Sequence, residues 1–131
     1  MVNYSEWTIP LGRRFRALKL WFMLRYYGLE GLRARIRNHV AWSGEVCEAL
    51  RAQGFEIVTE PILSLFTFRG PGDDAAQQAL VDAINSDGRI YVTQGMFAGR
   101  KVVRFQVGQF DCTRDDVMMA ADVIREISER M

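Results

Sequence analysis

Residues 10–28, PLGRRFRALKLWFMLRYYG, combine a helical spacing of apolar residues with aromatic side chains on more than one side. The residues that recur every three to four positions are Phe15, Leu18, Phe22 and Tyr26. This spacing predicts one apolar face of a helix over residues 13–27, and Trp21 lies on another side of it. Because a surface helix normally carries a single apolar stripe, a helix that is apolar on most sides is expected to be covered on most sides. The segment therefore favours a part that docks on something larger.

A second helix is predicted directly after the first. Gly28 suits the position just beyond a helix end, and the next apolar stripe covers residues 29–53. That stripe, in which only Ser43 is polar, consists of Leu29, Leu32, Ile36, Val40, Cys47 and Leu50.

Two strands are predicted next, because FEIVTEPI (55–62) and LSLFTF (63–68) are rich in β-branched and aromatic residues. Pro61 sits between them, and the turn RGPGDD (69–74) follows. A short helix over residues 74–85 then has its own inward face, made of Ala76, Leu80, Ala83 and Ile84.

A second pair of strands is predicted over residues 89–97 and 100–108, joined near Ala98–Gly99 as an antiparallel hairpin. Thr113 and Asp116 have the spacing of a capping box, so the last helix should span residues 114–130. Its inward face consists of Val117, Ala120, Ala121, Ile124 and Ile127.

The element order ααββαββα predicts an α+β fold, a two-layer sandwich of helices and a four-stranded, mainly antiparallel sheet. The 131 residues are enough for a single domain over 1–131 with one core. Residues 1–40 hold eight Lys/Arg and two Asp/Glu, whereas residues 41–131 hold nine and fourteen. The basic charge is therefore concentrated in the first third, although the net charge is only +1.

Several classes of protein are disfavoured by the sequence. It lacks a P-loop and the GxGxxG, GxSxG and HExxH motifs. Cys47, Cys112 and the single His39 do not have the spacing of a metal site or a disulfide framework, so we expect no metal and a reducing, cytoplasmic location. The segment MVNYSEW lacks the apolar region of a signal peptide, and the apolar run 20–24 is too short to span a membrane.

The segment YSEWTIPLGRRFRALKLWFMLRYYGLEGLRARIRNHV resembles the start of the C-terminal domain of pyridoxal-phosphate-dependent group II amino-acid decarboxylases. The similarity is strongest to the branch that acts on aromatic L-amino acids such as DOPA, tyrosine and tryptophan. It continues in order through FEIV, INSDGRIYVTQ, KVVRFQVG and the helix start TRDDV.

The resemblance implies the small C-terminal domain of a fold-type-I enzyme whose cofactor is pyridoxal 5'-phosphate. In this family the Schiff-base lysine and the other catalytic groups lie upstream in a large domain, so we expect no catalytic residue in this chain and no activity of the chain alone. The implied partners are the missing large domain, a second subunit of a homodimer and an amino-acid substrate, with neither nucleic acid nor membrane. The basic and aromatic first helix would be buried at that interface.

Gly12 and Arg104 are the two substrate-binding candidates, and both come from the resemblance. Gly12 can be read as a residue that merely tolerates an unusual backbone angle before a helix. The resemblance instead implies that it faces the substrate ring, where a missing side chain leaves room for a catechol or an indole.

Strand alternation puts Arg104 and Gln106 on the face opposite the apolar face of the same strand, and on that face Arg104 could simply be solvated. The resemblance implies that Arg104 holds a substrate carboxylate, for which a guanidinium is well shaped.

Two alternatives to an enzyme part are considered. The basic first third could bind nucleic acid, but the large aromatics on the same turns and the near-neutral net charge argue against a phosphate-binding face. A non-catalytic interaction or oligomerisation domain would use the same docking surface as the enzyme part.

Overall fold

A computed structural model describes residue 15 and residues 17–131. The chain divides into two compact units, residues 1–33 and residues 34–131, and each is described by itself. In the described residues, no helix is both long enough and apolar enough to cross a membrane.

Helix α1 (Ala17–Ala52) contains a break at the glycine where the sequence predicts one helix to end and the next to begin. Gly28 has φ 67° and ψ 168°, a backbone conformation that is accessible to glycine and strained for other residues. The predicted division of this region into two helical stretches is therefore confirmed.

The apolar stripe of the second stretch is buried only over its second half. Cys47 and Leu50 are fully buried, together with Ser43, and Val46 joins them in the core. Leu29, Ile36 and Val40 are instead exposed. Only the last turns of α1 belong to the apolar core of the second unit, so the periodicity marks an apolar face but does not reveal how much of it the chain itself covers.

The sheet has four antiparallel strands, as predicted, in the order β1-β2-β4-β3. The strands are β1 (Glu56–Ile62), β2 (Leu65–Arg69), β3 (Thr93–Phe97) and β4 (Arg100–Gln106). Pro61 lies inside β1 and not between the strands, which is tolerated because β1 is an edge strand. The first turn is at Leu63, which has a φ of 54°.

The β3–β4 hairpin turns at Ala98–Gly99, as the sequence predicts. Both residues have positive φ, 49° and 77°, which is the pattern of a two-residue type I′ turn. This tight connection fixes the register in which Thr93 lies opposite Arg104.

Two further helices, α2 (Asp74–Asp87) and α3 (Arg114–Arg130), complete the helical layer. Thr113 and Asp116 form the predicted capping box at the start of α3. The core is made by Phe66, Phe68, Val103, Phe105, Leu80, Ile84, Val117, Ala121, Ile124 and the buried end of α1. The predicted two-layer α+β fold is thus confirmed, and within residues 34–131 the helices pack on one face of the sheet and leave the other face open.

Candidate functional site

The residues of β4 alternate between the two faces of the sheet. Val103, Phe105 and Val107 are buried in the core, whereas Arg104 and Gln106 are exposed. This division agrees with the alternation expected for a strand. Arg104 therefore lies on the face of the sheet that the helices of the second unit leave open.

The side chains next to Arg104 on that open face are small and uncharged. Because β4 is an inner strand, Arg104 lies opposite Thr67 of β2 on one side and Thr93 of β3 on the other. Gly95, also on β3, lies against the aliphatic part of the Arg104 side chain. We call these residues, together with Gln106, the Arg104 site.

The other two arginines of the sheet are held by carboxylates. Arg100 makes two hydrogen bonds to Glu56, of 2.7 and 2.9 Å. Arg69 is only 5% exposed and donates to Asp74 Oδ1 at 2.8 Å. Among the described residues, Arg104 has neither a hydrogen bond nor an ion pair, so its guanidinium is available to an anion from outside.

Arg69 also connects several parts of the second unit. Besides Asp74, it donates to the carbonyl groups of Lys101 and Gly72. The Arg69 guanidinium and the backbone amide of Lys101 together hold the pKa of Asp74 below its usual value. The sequence does not predict a role for Arg69, because nothing in the pattern of its strand separates a buried arginine from a solvated one.

Gly12, the second predicted substrate-binding residue, lies outside the described residues, so its role stays a prediction. Thr67, Thr93 and Gly95 were not among the predicted site residues. Of these, Gly95 could have been noticed in the sequence, because a glycine inside a strand often marks a place where another group approaches closely.

The first unit carries an exposed apolar surface on α1. A shallow groove of about 450 Å³ is lined by Phe15, Ala17, Leu18, Leu20, Trp21 and Leu24, and we call it the α1 apolar surface. The large side chains among these are each at least 40% exposed. Arg25 lies over the ring of Trp21, 5.8 Å from its centre. The apolar face that the sequence predicts for this helix is therefore exposed within the described part of this unit.

The chain has two lysines, Lys19 and Lys101. Lys101 lies on the opposite face of β4 from Val102 and Arg104. Its Nζ donates to Gln78 of α2 at 3.1 Å, on the face of the sheet that the helices cover. Lys19 is an exposed residue in the first turn of α1. The described residues therefore do not by themselves fit pyridoxal phosphate.

His39 and Cys112 lie close together, with 3.7 Å between Nε2 and Sγ. Burial lowers the pKa of His39, with a further contribution from Arg35, and burial raises the pKa of Cys112. Both groups are thus kept neutral, and the described residues contain no cluster of three potential metal ligands.

The fold and the Arg104 site define a small domain with an open, cation-bearing sheet face, and the comparisons identify its class. The family described as the pyridoxal-dependent decarboxylase conserved domain matches residues 1–70. The chain belongs to the pyridoxal-dependent decarboxylase family.

The relatives lie in the aromatic branch that the sequence predicts. The chain is 43% identical to tyrosine decarboxylase 2 of Narcissus pseudonarcissus over 82% of the chain and 23% of the relative. It is 40% identical to the aromatic-L-amino-acid decarboxylase of Rattus norvegicus over 98% of the chain and 27% of the relative. The chain thus spans about a quarter of the length of these curated relatives.

A solved structure supports the fold. The tryptophan decarboxylase of Catharanthus roseus, determined in complex with L-tryptophan, matches with a TM-score of 0.84 and 33% identity. The match covers 98% of this chain and 29% of the other.

Proposed function

We propose that this chain is the small C-terminal domain of a pyridoxal-phosphate-dependent decarboxylase that acts on aromatic L-amino acids. In the full-length enzyme, pyridoxal phosphate would supply the electron sink that decarboxylation needs. The task of this chain is to orient the substrate through the Arg104 site and to form part of the wall of its pocket.

The observation that carries the proposal is the guanidinium of Arg104, which lies on the open face of the sheet and has no partner in the described part of the chain. A guanidinium binds a carboxylate with two parallel hydrogen bonds, which fixes the direction as well as the position of the carboxylate. Thr67, Thr93 and Gln106 bring no negative charge that would compete for it. An oriented α-carboxylate is what a decarboxylase needs, because the bond that breaks must be held in a defined geometry.

Gly12 supplies the second part of the proposal, as the residue that leaves room for an aromatic ring. A side chain at this position would take volume from the ring pocket. The names of the relatives, which are tyrosine and aromatic-L-amino-acid decarboxylases, support a ring of this size.

The α1 apolar surface supports a large domain and a second subunit as the partners. A contiguous apolar surface of this kind is typical of an interface. We propose that the enzyme is a homodimer in which this surface is covered. The two free cysteines, Cys47 and Cys112, support a cytoplasmic location, where thiols stay reduced.

Replacement of Arg104 in the full-length enzyme tests the proposal. Arg104→Ala should lower kcat/KM for L-tryptophan, L-tyrosine and L-DOPA by roughly ten- to a hundredfold, measured as carbon dioxide release, because one charge-assisted contact is lost. Arg104→Lys should recover part of the loss, since an ammonium lacks the two-pronged geometry.

Arg125→Ala is the matched control, because Arg125 is a half-exposed arginine of α3 with its own acidic partners. It should leave kcat/KM unchanged. Near-normal kcat/KM of Arg104→Ala, with unchanged cofactor absorbance, would show that Arg104 is a solvated residue and that the assignment is wrong.

A second candidate, a non-catalytic interaction domain, is favoured by the same α1 apolar surface. A full-length protein that binds the cofactor but releases no carbon dioxide from aromatic amino acids would support it. Release of carbon dioxide that depends on Arg104 would exclude it.

A further inference from the structure

We propose that Gly95 is a positioning residue for Arg104: the missing side chain at Gly95 provides the space through which Arg104 extends across β3. The significance for catalysis rests on the proposed function, whereas the path of the side chain is a property of this chain. The two statements can therefore be tested separately.

The contact between the two residues is close. A Cβ atom added at Gly95 would lie 3.1 Å from Cδ and 3.5 Å from Cγ of Arg104. It would also lie 3.7 Å from Cγ2 of Val102, which pairs directly with Gly95. The contact with Cδ is tighter than side chains normally make, so any larger residue at position 95 must displace the Arg104 side chain.

The backbone gives no other reason for a glycine at this position. Gly95 is not among the glycines with positive φ, unlike Gly99 two residues beyond the end of β3. A glycine inside a strand weakens the strand and has no side chain to pack. The space that it leaves for Arg104 is the reason that the structure offers.

The opposite side of Arg104 is already filled. Thr67 lies across from it on β2, and the hydroxyl of Thr67 is tied to that of Thr59 at 2.9 Å. The backbone amide of Thr67 also donates to the Thr59 hydroxyl, at 3.0 Å. On β3, Thr93 lies directly across from Arg104, but the next residue on the same face is Gly95, which has no side chain. The Arg104 stem is therefore directed diagonally over Gly95.

The path of the side chain can be tested in the 131-residue chain. The probe is the Nε–Hε resonance of Arg104 in a nitrogen–proton NMR spectrum, assigned by its loss in Arg104→Ala. Gly95→Val should shift this resonance by more than its line width. Gln94→Val, on the same strand but on the opposite face, is the control and should not shift it. An unshifted Arg104 resonance in folded Gly95→Val would overturn the inference.

The consequence for catalysis requires the full-length holoenzyme. Since a misplacement of 1 Å can cost about a hundredfold in rate, a shift of a few tenths of an ångström in Gly95→Ala should lower kcat/KM about threefold. The bulkier Gly95→Val should lower it about tenfold or more. Alanine is favoured over glycine in a strand, so the Tm of Gly95→Ala should not fall. A loss of activity without a loss of stability separates positioning from a structural role.

A double-mutant cycle completes the test, because neighbouring residues that act together are not additive. In an Arg104→Ala background, Gly95→Val should have almost no further effect on kcat/KM. If Arg104→Ala lowers kcat/KM but Gly95→Val costs the same in both backgrounds, positioning by Gly95 is wrong and the proposed function stands. If Arg104→Ala has no effect, the proposed function is wrong, and the NMR shift alone decides whether Gly95 directs the Arg104 side chain.

Discussion

Asn85 binds both backbone groups of Val92 through its side-chain amide. Its Nδ2 donates to the carbonyl oxygen of Val92 at 3.0 Å, and its Oδ1 accepts from the Val92 amide at 2.9 Å. The side-chain amide of Asn85, near the end of α2, therefore makes the two backbone hydrogen bonds that a neighbouring strand would otherwise make. This contact fixes the chain directly before β3, the strand that carries Thr93 and Gly95.

We expect Asn85→Asp to lower the free energy of unfolding by about 1–3 kcal/mol. An ionised aspartate can still accept from the Val92 amide but cannot donate to its carbonyl oxygen, and Val92 is only 4% exposed. Urea unfolding at neutral pH measures the change. Asn38→Ala, at an exposed position of α1, is the control and should change stability by less than about 0.5 kcal/mol. Equal stability of Asn85→Asp and the original chain would show that the bond from Asn85 Nδ2 to the Val92 carbonyl oxygen adds nothing.

The same contact explains why the sequence predicts too long a third strand. Residues 89–97 read as one strand by composition, but β3 begins only at Thr93. The backbone of Val92, directly before β3, bonds a helix side chain and not a strand, and local pattern does not carry that information. The hairpin turn at Ala98–Gly99 and the capping box of Thr113 and Asp116 were predictable, because each depends on residues that are adjacent in the chain.

The site was predictable only in part, for a related reason. Strand alternation puts Arg104 on the open face, and the structure confirms that position. Alternation does not reveal that Arg69 and Arg100 have carboxylate partners, whereas Arg104 has none within residues 17–131. Pairing across strands depends on register, which the sequence leaves open. The role of Gly95 depends on the same register.

Acid should destabilise the second unit through Asp74 and Glu56. Hydrogen bonds from Arg69 and Arg100 hold the pKa values of these two carboxyl groups below their ordinary values of 3.8 and 4.5. The unfolded chain therefore binds more protons than the folded chain in this range, so stability is fully present above about pH 5 and is lost as the pH falls through the folded pKa values.

Urea unfolding measured between pH 7 and pH 3 should show this loss. Asp74→Asn should make the acid dependence smaller, because its group no longer titrates. Asp82→Asn is the control, since Asp82 is bonded to Gln78 and not to an arginine. It should keep the original slope. If Asp74→Asn leaves the slope of unfolding free energy against pH unchanged, the acid sensitivity comes from other groups.

Gly12→Ser in the full-length enzyme should shift preference away from bulky aromatic substrates and toward histidine. A hydroxymethyl group takes space from an indole or catechol ring and adds a hydrogen-bonding group. The measurement is kcat/KM for L-tryptophan, L-DOPA and L-histidine. Gly44→Ser is the matched control, because a side chain there would meet nothing within 4 Å. Equal effects of Gly12→Ser on all three substrates would mean that Gly12 serves the backbone and not the pocket.

The isolated chain should self-associate through the α1 apolar surface. Leu20 and Trp21 are 62% and 53% exposed, and contiguous apolar patches beyond a few hundred Å² seldom stay uncovered in a monomer. Light scattering at increasing concentration should therefore report a mass above 15.0 kDa.

Leu20→Glu combined with Leu24→Glu charges the lining of the groove and should restore the monomer. Ile62→Glu is the control, since Ile62 is 76% exposed at the end of β1 and is not part of that surface. A monomer at every concentration would mean that the isolated chain covers this surface itself, and an equal effect of Ile62→Glu would assign the association to general surface charge.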